Sequence, residues 1–218
     1  MIRGVIFDFD GLILDTETPV FRSWQELYAR FGQRLTLEDW AEVVGCSARE
    51  HYDPLERLQQ RLGQPLDVER WRAWRYEREM ALLAEQDLLP GVTERLEEAR
   101  RLGLRLAVAS SSPRPWVEGH LQRLGLWDYF QVVHTAEDVE RTKPAPLLFQ
   151  KALRSLALQP PEAIVFEDSP NGVTAAKAAG IFCVAVPNAV TQNLPLDHAD
   201  LRITSLAEIT LRQLIRER

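Results

Sequence analysis

From Pro90-Gly91 onward the chain alternates between helical and extended patterns, while one apolar run, Val5-Ile6-Phe7, stands alone far upstream. Val92, Leu96, Ala99 and Leu102 predict a helix closed by Gly103, and Leu104 to Ala109 predict a buried strand. A helix around Pro115 to Leu124 leads to Val132-Val133, and Leu147 to Leu156 leads to Ala163 to Phe166. The Ala-rich stretch Val173 to Ala179, ended by Gly180, leads to Phe182 to Val186. Strands separated by helices in this order build right-handed βαβ units, so the sheet should be mostly parallel with helices on both faces.

Between the lone strand and this alternating half, residues Glu17 to Leu89 contain no convincing strand. Val20, Phe21, Trp24, Leu27, Tyr28 and Phe31 share one face of an amphipathic helix that ends at Gly32. Tyr52, Leu55, Leu58 and Leu62 repeat the pattern before Gly63, and Val68, Trp71, Trp74 and Leu82 supply another helix. The expected fold class is therefore α/β: a three-layer αβα Rossmann-like core with a mostly parallel sheet, plus an inserted all-α cap domain of about four helices. Residues 1–15 and 90–218 should form the core domain and residues 16–89 the cap, and 218 residues are enough to bury a substantial core.

The lone strand runs directly into Asp8-Phe9-Asp10-Gly11-Leu12. Residues two apart on an extended segment point the same way, so Asp8 and Asp10 can face one reaction centre, and Gly11 lets the backbone turn away. The carboxyl ends of strands are where open α/β sheets bind ligands. Two close carboxylates repel unless a cation sits with them or one is protonated, and a hard divalent ion such as Mg²⁺ suits oxygen ligands. The plainer alternative is that both acids only decorate a turn.

Three further polar stations follow, two at the ends of predicted strands and one in a loop. Ser110-Ser111-Ser112 follow the strand ending at Ala109, where hydroxyls and amides can bind an anion or one serine can cap the next helix. Lys143 lies in Thr142-Lys143-Pro144-Ala145-Pro146, with the next helix delayed until after Pro146. Only three of the 26 basic residues are lysine, at positions 143, 151 and 177, and with the rigid prolines this favours a positioned ammonium over a solvated one. Glu167-Asp168 closes the strand Ile164-Val165-Phe166, and Ser169-Pro170 reads as N-cap and first residue of a helix. Capping explains Ser169 but not two adjacent acids at a strand end.

Composition narrows the partners. A formal net charge of −6 argues against nucleic acid or an anionic membrane. No apolar stretch approaches a membrane span and no signal-peptide pattern is seen, so a cytoplasmic location is expected. Cys46 and Cys183, far apart and outside any CxxC or Cys/His spacing, suggest reduced thiols and argue against zinc.

In this order the four stations resemble the haloacid dehalogenase (HAD) superfamily of phosphohydrolases, across essentially the whole chain. The strings FDFDGLILDTE, KPAP and FEDSPNG are similar to its β-phosphoglucomutase and phosphosugar-phosphatase branch, which carries a helical cap. The resemblance implies Asp8 as nucleophile, Asp10 as acid and base, and Ser110 and Lys143 as binders of the transferring phosphoryl group. It implies Mg²⁺ held by the Asp8 side chain, the Asp10 backbone carbonyl and Asp168, with Glu167 bound directly or through water. It also sets the cap loop 44–49 over the site, which makes Gly45, Arg49 and Ser111 candidate substrate contacts, with His51, Arg75 and Arg78 beside them.

Within that superfamily, haloacid dehalogenases lack the second aspartate, and phosphonate hydrolases use a cap lysine where residues 16–89 have none. β-Phosphoglucomutases carry a histidine and a lysine where this chain has Val20 and Val44. The expectation is a Mg²⁺-dependent phosphatase, monomeric, acting on a small phosphorylated metabolite such as a sugar phosphate. A phosphomutase is the alternative, and a non-catalytic phosphometabolite binder is a further one. Trp24, Trp40, Trp71 and Trp74 are read as cap core, and His120, His134 and His198 are given no catalytic role.

Overall fold

The computed structural model describes residues 1–41 and 53–216, so Val44, Gly45, Cys46, Arg49 and His51 lie outside the described residues. In chain order the elements are β1 (Gly4–Phe7), α1 (Glu17–Arg30), α2 (Leu37–Ala41), α3 (Pro54–Leu62), α4 (Val68–Ala84), α5 (Val92–Arg101) and β2 (Arg105–Ala109). They continue with α6 (Arg114–Arg123), β3 (Val132–His134), α7 (Leu147–Ser155), β4 (Ala163–Glu167), α8 (Pro170–Ala178), β5 (Phe182–Ala185), β6 (Leu201–Arg202) and α9 (Leu211–Arg216).

The strands form one sheet in the order β3-β2-β1-β4-β5-β6, and every pair is parallel. The lone upstream strand thus takes the middle, with Phe7 aligned to Val108 on one side and to Phe166 on the other. Residues of alternate parity face opposite layers. Val5, Phe7, Leu106, Val108, Ile164 and Phe166 pack with Leu96, Val117, Leu121 and Leu211 of α5, α6 and α9. Ile6, Ala107, Val165 and Cys183 pack with Leu148, Phe149, Ala152, Val173 and Ala176 of α7 and α8. With both faces covered, the strands read as continuous apolar runs, and each large buried side chain contributes about 1.5–3 kcal/mol.

The helices α1 to α4 gather a separate cluster, joined by Val190 from the loop after β5, in which Trp24, Leu27, Tyr28, Leu35, Trp40, Leu55 and Leu58 are buried and Trp71 and Trp74 pack against them. The four tryptophans are framework, as their spacing implied. Asp53 and Asp67 cap α3 and α4 by accepting from Leu55 N and Arg70 N. No helix among the described residues is long and apolar enough to cross a membrane.

The chain passes from sheet to helices and back along two adjacent segments, with Leu14 bridged to Leu88 and Leu89 N donating to Ile13 O at 3.0 Å. The return segment turns at Gly91, whose φ is +89° and where a Cβ would lie 2.1 Å from Ala207 N. Gly91→Ala combines a left-handed backbone with a backbone collision. It is expected to cost about 2–4 kcal/mol in urea unfolding, and a cost under ~0.5 kcal/mol would contradict this account of the turn.

Candidate active site

Asp8 continues the β1 ladder by donating its backbone N–H to Phe166 O at 3.0 Å, which sets its side chain beside Glu167 at the carboxyl edge of the sheet. From the loop before α7, Lys143 Nζ reaches both acids, contacting Asp8 Oδ1 and, at 2.5 Å, Glu167 Oε1. All three side chains are buried, with exposures of 5% for Lys143, 8% for Asp8 and 0% for Glu167. The second oxygen of Glu167 accepts from Asp168 N at 3.0 Å, Ser169 N at 3.2 Å and Ser169 Oγ at 3.1 Å. Ser169 Oγ also accepts from Gly172 N at 3.1 Å, so one hydroxyl caps α8 and holds Glu167. A Cβ at residue 172 would stand 1.8 Å from the Glu167 carboxyl carbon, so only glycine lets α8 close over this acid.

Asp168 completes the group. Carboxylate oxygens of Asp8, Glu167 and Asp168 lie within 4.8 Å of one another. Asn188 Nδ2 donates to Asp168 Oδ2 at 2.8 Å and to Gly11 O at 3.1 Å, tying the loop after β5 to the turn after β1. Gly11, at φ +74°, has no room for a Cβ, which would meet Asp168 Oδ2 at 2.4 Å. A cavity of about 490 Å³ runs behind this turn and is lined by Gly11, Asp15, Leu89, Pro90, Asn188 and Arg202.

Burial pushes the Asp8 carboxyl up to about 8, against the pull of Lys143 and with Glu167 and Asp10 adding to the rise. Burial raises Asp168 in the same way, reinforced by Glu167 and Asp8. Burial alone would lower Lys143, but Asp8 and Glu167 outweigh it and hold the ammonium protonated above the ordinary lysine range. Burial thus favours the neutral forms of Asp8 and Asp168 even beside the ammonium, a divalent cation between them would let both ionise, and the donors are all oxygen. That set fits a hard divalent cation. With Glu167 already engaged by Lys143, Asp168 N and Ser169, the oxygens of Asp8 and Asp168 are the freer ligands.

Asp10 has a separate set of partners. Its carboxylate accepts from Ser112 Oγ at 2.7 Å, Ser110 Oγ at 3.2 Å and Trp116 Nε1 at 2.8 Å. The Asp10 carboxylate is therefore not among the clustered oxygens. Pro113, not a serine, occupies the N-cap of α6, and Ser110 and Ser112 instead donate to Asp10 and share a local turn in which Ser112 N donates to Ser110 Oγ at 3.0 Å. Ser111 is exposed.

The remaining candidates sit in ordinary places. Arg75 pairs with Glu79, and Arg78 grips Glu26 at 2.6 and 3.0 Å. Lys151 and Lys177 also pair with acids, Asp138 and Asp200, so scarcity does not distinguish Lys143; a side chain buried between two carboxylates does. His134 and His198 bond to Ser155 and Thr174, and His120 stacks on Phe9. Sequence reasoning passed over Trp116, Gly172 and Asn188 as contributors, and named Ser112 only within the serine cluster. Gly172 lies in the string FEDSPNG, which was used above only for its resemblance.

The sequence matches the family described as haloacid dehalogenase-like hydrolase over residues 5–186. The phosphatase-named YhcW of Bacillus subtilis is 44% identical over 215 residues, covering 99% of this chain and 97% of that protein. The phosphorylated carbohydrates phosphatase of Thermotoga maritima is 33% identical over 183 residues, covering 83% and 82%. The crystal structure of CbbY from Rhodobacter sphaeroides in complex with phosphate superposes with a TM-score of 0.73 at 32% identity, covering 99% of this chain and 100% of that one. The chain belongs to the haloacid dehalogenase-like hydrolases and, within them, to the phosphoric monoester hydrolases of the β-phosphoglucomutase-like branch.

Lys143→Met should expose how this cluster is balanced. Without the ammonium, the buried carboxylates lose their partner, and a loss of about 3–5 kcal/mol is expected in metal-free urea unfolding, partly regained on adding Mg²⁺. A variant as stable as the parent would mean that Lys143 does not hold the cluster.

Proposed function

We propose that the chain is a Mg²⁺-dependent phosphatase that hydrolyses a small phosphorylated metabolite, a sugar phosphate in particular, through an aspartyl-phosphate at Asp8. The observation that carries this reading is the buried Lys143 ammonium between Asp8 and Glu167, with Asp168 beside them and Ser110 at the adjoining strand end. Asp8 and Asp168 would hold the metal, with the Asp10 backbone carbonyl. The ion would supply charge neutralisation for the nucleophile and the phosphoryl oxygens.

In the first step a carboxylate oxygen of Asp8 bonds to phosphorus, the ester P–O bond breaks, and the departing alkoxide takes a proton from Asp10. In the second, water bonds to phosphorus, Asp10 takes its proton, and the bond to Asp8 breaks to release phosphate. Lys143 and Ser110 steady the phosphoryl oxygens as negative charge spreads over them. Residues 16–89 act as a cap over the core of 1–15 and 90–218, closing to keep bulk water from the site.

The sugar-phosphate class is supported by the Thermotoga relative, named for phosphorylated carbohydrates, and by the CbbY structure that holds phosphate. Val20 favours hydrolysis over mutation: half-buried against the helical cluster, it offers no polar group with which to manage a phosphoenzyme.

Purified protein screened against a panel of phosphomonoesters should release phosphate from a sugar phosphate with Mg²⁺ and lose turnover on chelation. Asp8→Asn is expected to lower kcat by about 10⁴-fold or more, the scale seen when a nucleophile is removed. Metal-dependent turnover surviving in that variant would refute Asp8 as nucleophile. Faster formation of an isomeric sugar phosphate than of free phosphate would favour the mutase.

A further inference from the structure

The Asp10 carboxylate is held by two chemically different kinds of partner. Ser110 and Ser112 approach Oδ2 through hydroxyls at 3.2 and 2.7 Å, while Trp116 Nε1–H donates to Oδ1 at 2.8 Å. A hydroxyl can donate or accept, so a serine can reverse its bond when the carboxyl carries a proton. An indole N–H only donates. Oδ1 therefore stays an acceptor throughout, and a proton carried by this side chain belongs on Oδ2, the oxygen beside Ser110.

The indole is itself well seated. Its ring meets His120 edge to face with centroids 4.6 Å apart, and His120 lies along Phe9, which is fully buried between Asp8 and Asp10 in the chain. Trp116 comes from the first turn of α6 and packs against the core cluster on that face of the sheet. A donor fixed both by its helix and by a stack that returns to the β1 turn presents its N–H in one place, which a solvated donor would not.

We propose that Trp116 is a positioning residue for acid–base catalysis, its N–H fixing the Asp10 carboxyl plane and directing the transferable proton to Oδ2. The proposal rests on the reading of Asp10 as acid and base given above.

Leaving groups provide the test. A sugar alkoxide cannot depart without a proton, whereas p-nitrophenolate can, so a misplaced acid penalises the first ester selectively. Trp116→Phe keeps a ring and removes the donor. Its kcat/KM should fall about 10-fold or more for the best sugar phosphate of the panel and less than about threefold for p-nitrophenyl phosphate. Trp116→His, which retains an N–H, should recover part of the loss, and in an Asp10→Ala background Trp116→Phe should have no further effect. Equal losses on both esters, no loss on either, or an undiminished loss in the Asp10→Ala background would overturn the proposal. Melting curves identify a misfolded variant, and Trp116→Leu then carries the same comparison. A parent enzyme that cleaves no alkyl phosphate refutes the phosphatase reading and this proposal with it. A parent that cleaves both esters, with an unchanged ratio in Trp116→Phe, refutes the proposal alone.

Discussion

Lys143 holds together a group of acids that would otherwise drive one another apart. Asp8, Glu167 and Asp168 arrive from the ends of two adjacent strands, each buried, and the ammonium between the first two is the charge that makes their proximity tolerable. The geometry around it follows. Gly172 leaves space for Glu167, Ser169 satisfies the second oxygen of that acid while capping α8, and Asn188 fixes Asp168 to the turn at Gly11. The ammonium does not offset the burial of all three acids, Asp8 and Asp168 stay raised, and a divalent cation is the partner that would let both ionise.

The sheet order explains why such distant positions meet. Placing β1 between β2 and β4 brings Asp8, the serines after Ala109 and the acids after Phe166 to one edge. Asp8 and Asp10 meet different neighbours: Asp8 contacts Lys143 and lies with the acids, Asp10 bonds to the hydroxyls and indole at the start of α6. Two residues of the same kind, two apart, thus sit in different surroundings, which is what the proposed division into nucleophile and acid–base requires.

Much of this was legible in the residues. The alternation after Pro90-Gly91 specified the parallel sheet, because buried parallel strands are short apolar runs that helices must separate. Three of the four polar stations were visible because each interrupts such a run with residues that a strand end does not need, and Lys143 stood out by its flanking prolines. The two-residue β6 was not legible, since so short a strand has no periodicity, nor was α9, whose N-terminal amides are capped from a distance by Glu98. Trp116 escaped notice because an indole in an amphipathic helix looks like core until its N–H is seen on Asp10. Gly172 and Asn188 act only through contacts across the chain, which spacing cannot reveal.

Acid quenching during a single turnover, followed by mass spectrometry of the peptides, tests the central claim most directly. The account predicts one phosphoryl group on the peptide containing Asp8, transient in the presence of Mg²⁺ and absent when the metal is chelated. Phosphate release without a label on Asp8, or labelling that chelation leaves unchanged, would contradict it.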